Sequence, residues 1–328
     1  MWKLLTSLSS PGGRRGTLSV LFFHRVYPQV DDMAPGDPTT ASFDAKMGWL
    51  QSQFNIIPLA EGVRRLREGT LPPAAAAISF DDGYRDNLTL AAPILQRRGI
   101  PATFFVATAF LDGGIMFNDV VIECMRRTKR HQAQLPNLGL PPLPLGDWNA
   151  RRHAARTVLR ALKYLPAGDR AAQVAALPAA LGVELPKDLM LSSSELQALA
   201  SLPGVDVGGH THSHPILCSL ADDDAQREIA QGRDLLQALT GQAVPLFAYP
   251  NGRWGQDFDA RHCRMVQACG FEAGFSTEPA VANVHADRWA LPRFTPWDQS
   301  EFRYRLRLLQ MSRSGQPERR PTSAPSHP

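Results

Sequence analysis

Short apolar runs punctuate the chain, and most are followed by a segment whose apolar positions recur at helical spacing. LSVLFF (18–23), AAAAISF (74–80), PATFFVAT (101–108), VDVGGH (205–210), AVPLFAYP (243–250), FEAGFST (271–277) and WALPRF (289–294) read as strands. SFDAKMGWLQSQF (42–54), DNLTLAAPILQRRG (86–99), SSSELQALASLPG (192–204), ADDDAQREIAQGRDLLQALTG (221–241) and DARHCRMVQACG (259–270) read as helices. Local signals set their ends. Ser42 is the predicted N-cap of the first helix, and Gly99 the stop of the second. Ser192 and Glu195 have the spacing of a capping box.

Strands alternating with helices imply parallel pairing. The runs are apolar on both sides rather than alternating, as when both sheet faces are covered. About seven or eight such units predict a (β/α) barrel, with an open doubly wound sheet as the alternative. No G-x-G-x-x-G follows a strand, which argues against a dinucleotide site.

Residues at about 112–190 interrupt the alternation. IMFNDVVIECMRRT (115–128) and RRHAARTVLRALKYL (151–165) are helical patterns flanking a proline-rich stretch at 135–148. The segment reads as a mostly helical insertion between two barrel strands, either a lid, a partner surface or a structural elaboration. The expected organisation is an N-terminal segment at 1–17, a barrel at 18–308 carrying the insertion, and a disordered polar tail at 309–328.

Composition narrows the picture. The chain has 328 residues, 44% of them hydrophobic, and a net charge of +4. That balance gives no reason to expect a nucleic-acid partner. The four cysteines form no C-x-x-C pair and no disulfide framework. HCRMVQAC (262–269) lies on a helical pattern and is not expected to bind metal. No stretch approaches the length of a membrane span. The N-terminal apolar patch is short and is broken by Pro11, Gly12 and Gly13, a poor secretory signal. The expected location is cytoplasmic or peripheral to a membrane, and the pattern is silent on oligomeric state.

In parallel α/β folds ligands bind beyond the carboxyl ends of the strands. The runs here end at His24, Asp81–Asp82, His210, Tyr249 and Arg293, so ionisable groups converge on one face. In HTHSH, His210 and His214 are four apart and, on a helical turn, face the same way, while His212 points elsewhere. With one carboxylate of the Asp81–Asp82 pair they form a two-histidine, one-carboxylate set for a single divalent metal ion, Zn²⁺ first, with Co²⁺ or Ni²⁺ as alternatives. The other carboxylate is left free to handle a proton. Alone, each motif has a plainer reading: a surface histidine pair, and an Asp-Asp-Gly turn. Their joint position after buried strands favours the metal site.

LFFHRV (21–26), FDDGYRDN (80–87), GIPATFFVAT (99–108), VGGHTHSHPIL (207–217) and FAYPNG (247–252) together resemble the polysaccharide deacetylase (NodB homology) family, carbohydrate esterase family 4. The resemblance runs from about Leu18 to about Leu308, interrupted at 112–190. It implies a distorted (β/α) barrel that removes N-acetyl groups from an amino-sugar glycan, with an N-acetylated carbohydrate as its partner. It also implies Asp81 as general base, a metal held by Asp82, His210 and His214, and an oxyanion donor in the backbone at Asn251, beside Tyr249.

Two departures stand out. Many relatives carry an arginine at the position of Ala248, where it orients the catalytic aspartate; Arg293 is the candidate substitute. No Leu-x-His motif follows near the C-terminus to supply the general acid; His24 is the candidate replacement, with His285 weaker. Trp254, and less so Trp289 and Trp297, could stack on sugar rings or pack in the core. Two further readings stay open: a metal-dependent amidase acting on a small cyclic amide, and a non-catalytic carbohydrate-binding relative.

Overall fold

The fold is known from a computed structural model that describes residues 1–163 and 165–314. Its strands are β1 (Leu18–Phe23), β2 (Asn55–Ile56), β3 (Ala75–Phe80), β4 (Ala102–Val106), β5 (Gln132–Ala133), β6 (Leu143–Pro144), β7 (Val205–Gly209), β8 (Leu246–Ala248) and β9 (Ala273–Phe275). Seven of them form one parallel sheet in the order β1-β3-β4-β7-β8-β9, with β2 paired to the first residues of β3. Leu18 to Phe23 pair in step with Ala75 to Phe80, so the two strands end level, at His24 and Asp81.

The sheet curls until its edge strands are joined by the segment at 289–294. Ser276 N–H donates to the Leu291 carbonyl at 2.8 Å, and Phe294 N–H to the Val20 carbonyl at 3.0 Å. This segment makes single bridges rather than a ladder. The result is the distorted (β/α) barrel of the sequence reading, with WALPRF as an irregular closing element.

The helices are α1 (Trp2–Ser9), α2 (Thr40–Gln53), α3 (Leu59–Glu68), α4 (Ala92–Arg98), α5 (Phe117–Arg127), α6 (Trp148–Lys163), α7 (Ala167–Leu181), α8 (Ser193–Ala200), α9 (Asp222–Thr240), α10 (Ala260–Ala268) and α11 (Glu301–Met311). Every residue of β3 and β4 is buried, as expected of strands covered on both faces. Between the sheet and the outer helices, Phe80 stacks on Phe104 at 4.9 Å, and Phe23 and Phe43, the latter on α2, close around them. No helix among the described residues is long and apolar enough to cross a membrane.

Local signals hold up unevenly. Gly99 ends α4 in the left-handed conformation, and Ser192 and Glu195 form the capping box of α8. Ser42 does not cap α2. The cap is Thr39, whose hydroxyl accepts the Ser42 N–H at 3.2 Å while the Ser42 hydroxyl accepts the Thr39 N–H at 2.9 Å. Ser42 therefore sits three residues inside, in the role usually taken by Glu or Gln. Helix α11 runs past position 308 to Met311, and the rest of the expected tail, 315–328, lies outside the described residues. In the segment at 112–190, α5, α6 and α7 pack around their own apolar cluster, centred on Val121, Cys124, Val158 and Leu162, next to the β5–β6 hairpin.

Candidate active site

Strand β3 ends in a sharp turn. Asp81 N–H still donates to the Phe23 carbonyl at 2.9 Å, but Asp82 has φ +79° and Gly83 φ +90°. A Cβ at Gly83 would come within 2.8 Å of Val106 Cγ1, so only glycine fits there. The turn sends the two carboxylates to different partners.

Asp81 meets Arg293. The guanidinium donates through Nη1 to Asp81 Oδ1 at 2.7 Å and through Nη2 to Oδ2 at 2.9 Å. Nε donates to the Ser276 carbonyl at 3.2 Å, and the group lies over the rings of Phe22 and Phe105. Both side chains are buried. Burial opposes the charge on Asp81, but Arg293, helped by His210, outweighs it and holds the carboxyl below its ordinary range. The fork geometry fixes the plane of the carboxylate as well as its charge.

Asp82 meets the two histidines. Its Oδ1 lies 3.3 Å from His210 Nε2 and 3.4 Å from His214 Nε2. Asp82 Oδ1 is buried and has no hydrogen-bond partner. His210 Nδ1 donates to the Ala248 carbonyl at 2.7 Å, which fixes the tautomer and turns Nε2 towards Asp82. Thus the residue that replaces the expected arginine still serves the site, through its backbone. Burial opposes the Asp82 charge, but the imidazoles outweigh it and hold the carboxyl well below its usual range. Burial lowers the His214 pKa to about 4, leaving it neutral near pH 7. A buried, unpartnered carboxylate oxygen facing two imidazole nitrogens fits a divalent cation bound by N and O donors.

His210 and His214 do not lie on a helical turn as expected. Thr211 and His214 both take left-handed backbone conformations, with φ of +64° and +55°. The loop is held from outside by Glu228, which accepts the His212 and Ser213 N–H groups at 3.0 and 2.7 Å. His212 points away, its Nδ1 2.9 Å from the Thr108 hydroxyl.

Asp81, Asp82, His210 and His214 line a cavity of about 640 Å³. His24 lines it and is exposed. Asn251 lines it too, in a left-handed turn (φ +59°) whose carbonyl accepts the Thr277 hydroxyl at 2.7 Å. Tyr249 borders the cavity, but its ring stacks on Phe258 at 3.7 Å and its hydroxyl donates to the Trp289 carbonyl at 2.8 Å, so the side chain belongs to the core. Trp254 packs edge-on against Phe258 and is not among the lining residues; Trp297, 61% exposed, is. His285 sits in an exposed turn outside the cavity.

One wall comes from a source that sequence reasoning left undecided. Helix α5 contributes Asn118, Asp119, Ile122 and Arg126. Asp119 is buried, and its two oxygens accept the Tyr84 hydroxyl at 3.1 and 3.0 Å. Burial, with Asp82 nearby, pushes its pKa up to about 7. An aspartate in a helix's first turn reads as helix capping, which hid it in the sequence.

A second group, Cys218, Asp259 and His262, also clusters. Helix capping engages two of the three: Asp259 N–H donates to His262 Nδ1 at 3.1 Å, and the Arg261 guanidinium sits 3.4 Å from the Asp259 carboxylate.

A family profile described as polysaccharide deacetylase matches residues 68–134 and 171–274, just over half of the chain. The unmatched stretch between falls within the helical segment that supplies α6. The Bacillus subtilis (strain 168) protein YxkH, named as a polysaccharide deacetylase, is 20% identical over 278 residues, 84% of this chain and 70% of that one. Among solved structures, Streptococcus pyogenes deacetylase PplD in complex with acetate matches with a TM-score of 0.59 at 16% identity, covering 90% of this chain and 98% of that one. IcaB from Ammonifex degensii gives 0.58 at 18% identity, covering 88% and 97%. At such identities the structural likeness is one of fold.

Proposed function

The chain belongs to the polysaccharide deacetylase family, and on that premise we propose that it removes N-acetyl groups from an amino-sugar glycan, using one divalent metal ion held by Asp82, His210 and His214. One observation carries the reading. An orphaned buried carboxylate oxygen faces two imidazole Nε2 atoms, directly beside a second carboxylate clamped by a buried arginine. The donor set suits Zn²⁺, with Co²⁺ and Ni²⁺ as alternatives.

Bound there, the ion supplies polarisation of the acetyl carbonyl and a water of lowered pKa. Asp81, kept ionised by Arg293, accepts the proton of the attacking water. The backbone N–H at Asn251 is the assigned donor to the developing oxyanion. His24 donates a proton to the departing nitrogen, so the C–N bond breaks to leave a free amine and acetate. Arg293 is a positioning residue, since it acts through Asp81. We take residues 18–308 as the catalytic unit, with the segment at 112–190 forming one wall of its groove.

An extended glycan fits better than a small cyclic amide. The rim residues His24, Asn251, Arg253 and Trp297 are exposed, so the cavity opens to solvent. The intact Asp81, Asp82, His210 and His214 set speaks against a purely carbohydrate-binding role.

Two measurements test the reading. Protein loaded with Zn²⁺ should hold one ion per chain by elemental analysis, and should release acetate from at least one member of a panel of N-acetylated oligosaccharides. Stoichiometric metal without acetate release from any glycan would reject the deacetylase assignment while leaving the metal site intact.

A further inference from the structure

Helix α1 carries its apolar side outward. Thr6 is its one buried residue, and the Thr6 hydroxyl accepts a hydrogen bond from Gln53 Nε2 at 3.1 Å. Met1, Leu4, Leu5 and Leu8 follow the i, i+3, i+4, i+7 spacing of a single helix face, and that face is exposed: Met1 by 89%, Leu4 by 65% and Leu8 by 71%. A surface helix ordinarily buries that stripe. Phe302 on α11 extends the patch; it is 64% exposed and meets Trp2 edge-on at 5.8 Å. Nine large apolar side chains are exposed among the described residues, and five of them lie here, so the patch is a concentration and not scatter.

Exposed cations accompany it. Lys3 is on α1, Arg303 adjoins Phe302, and Arg313 Nε donates to Ser9 Oγ at 3.1 Å. The acidic Glu301 is engaged by Arg305 at 2.7 Å.

We propose that α1 and the start of α11 form an interfacial anchor for a bilayer with anionic headgroups. The leucines and Phe302 enter the acyl boundary, and the basic side chains meet lipid phosphates. Charge selects this occupant over a second copy of the chain, because a self-complementary contact would set the same cations against each other. At eight residues α1 lies on the membrane and does not cross it.

The test uses the full, metal-loaded chain in co-sedimentation with vesicles of phosphatidylcholine alone and of an equimolar phosphatidylcholine–phosphatidylglycerol mixture. Pelleting is expected with the anionic vesicles and should weaken as salt rises. Leu4→Glu with Leu8→Glu should lower partitioning by about tenfold or more, the scale for one large apolar side chain removed from an apolar phase. Lys3→Glu should reduce the preference for phosphatidylglycerol. Leu4→Ser with Leu8→Ser repeats the reading should the glutamates disturb folding, checked by thermal melting. Wild-type protein that pellets no better with anionic vesicles than without lipid overturns the proposal. So does a pair of leucine variants that pellet like wild type. A solution dimer dispersed by those variants, with no vesicle binding, would assign the face to a second copy instead.

Discussion

Asp81 and Arg293 are 212 residues apart in sequence, yet they share two parallel hydrogen bonds of 2.7 and 2.9 Å inside a buried pocket. Neither is exposed enough to shed its charge to water. The pair therefore has two consequences, one for the orientation of the proposed base and one for the stability of the fold.

Asp81→Asn keeps an acceptor for one N–H but leaves the buried guanidinium without its counter-charge. Turnover is expected to fall by roughly 10²–10⁴-fold, as for loss of a general base. Unfolding free energy should also drop, by about 3–5 kcal/mol, as for a buried pair broken on one side. Urea melts of Asp81→Asn, Arg293→Met and the double variant measure the coupling. Strictly additive losses would mean that the two residues act independently.

Metal binding should depend on the three-residue set. Asp82→Ala and His214→Ala are each expected to bind well below one Zn²⁺ per chain by elemental analysis after loading and desalting. Glu228→Ala, which frees the loop bearing His214, should weaken the affinity without abolishing it. Full stoichiometry in both ligand variants would remove the site.

Asp119 predicts a pH dependence of stability. Burial raises its folded-state pKa to about 7, above the unfolded value of about 3.9. Between those values the folded chain holds a proton that the unfolded chain has released. Stability from this group is thus present at low pH and is lost as pH rises through about 7. Asp119→Asn lacks the titration, so in metal-free protein its stability relative to wild type should increase from pH ~4 to ~7 in urea melts. A constant difference across that window would place the Asp119 carboxylate in water.

Should His24 protonate the leaving nitrogen, its loss should matter only where the leaving group needs a proton. His24→Ala is expected to lose roughly 10²-fold or more on N-acetyl sugars, and little on an aryl acetate whose phenolate leaves unassisted. Equal losses on both substrates would point to substrate binding instead.

The residue pattern alone determined a parallel α/β fold, read as a barrel with an open doubly wound sheet as the alternative, and the motifs at its strand ends. Strand β1 coincides with the LSVLFF run, and Ser192, Glu195 and Gly99 act at the helix ends where their local chemistry puts them. Asp81, Asp82, His210 and His214 were legible because each follows a buried run, and a parallel sheet brings such ends to one face. Apolar periodicity, capping and glycine turns are interactions within a few residues, which is why they can be read along the chain.

Tertiary structure decided the rest. A one-residue step along a strand reverses a side chain, so whether Tyr249 faced substrate or Phe258 depended on the register of β8 against β9. His210 and His214 converge through left-handed backbone held by Glu228, which lies on another element. Asp119 reaches the site because the inserted α5 packs beside Tyr84, and Trp297, not Trp254, lines the cavity because the chain just past the closing segment runs there. The outward-facing leucines of α1 share the periodicity of a buried helix, and contacts on its other side, Thr6 with Gln53, Trp2 with Phe302 and Ser9 with Arg313, fix which way they point. Each of these outcomes is set by contacts between residues far apart in the chain, whose energies depend on distances and burial that exist only once the whole barrel has formed.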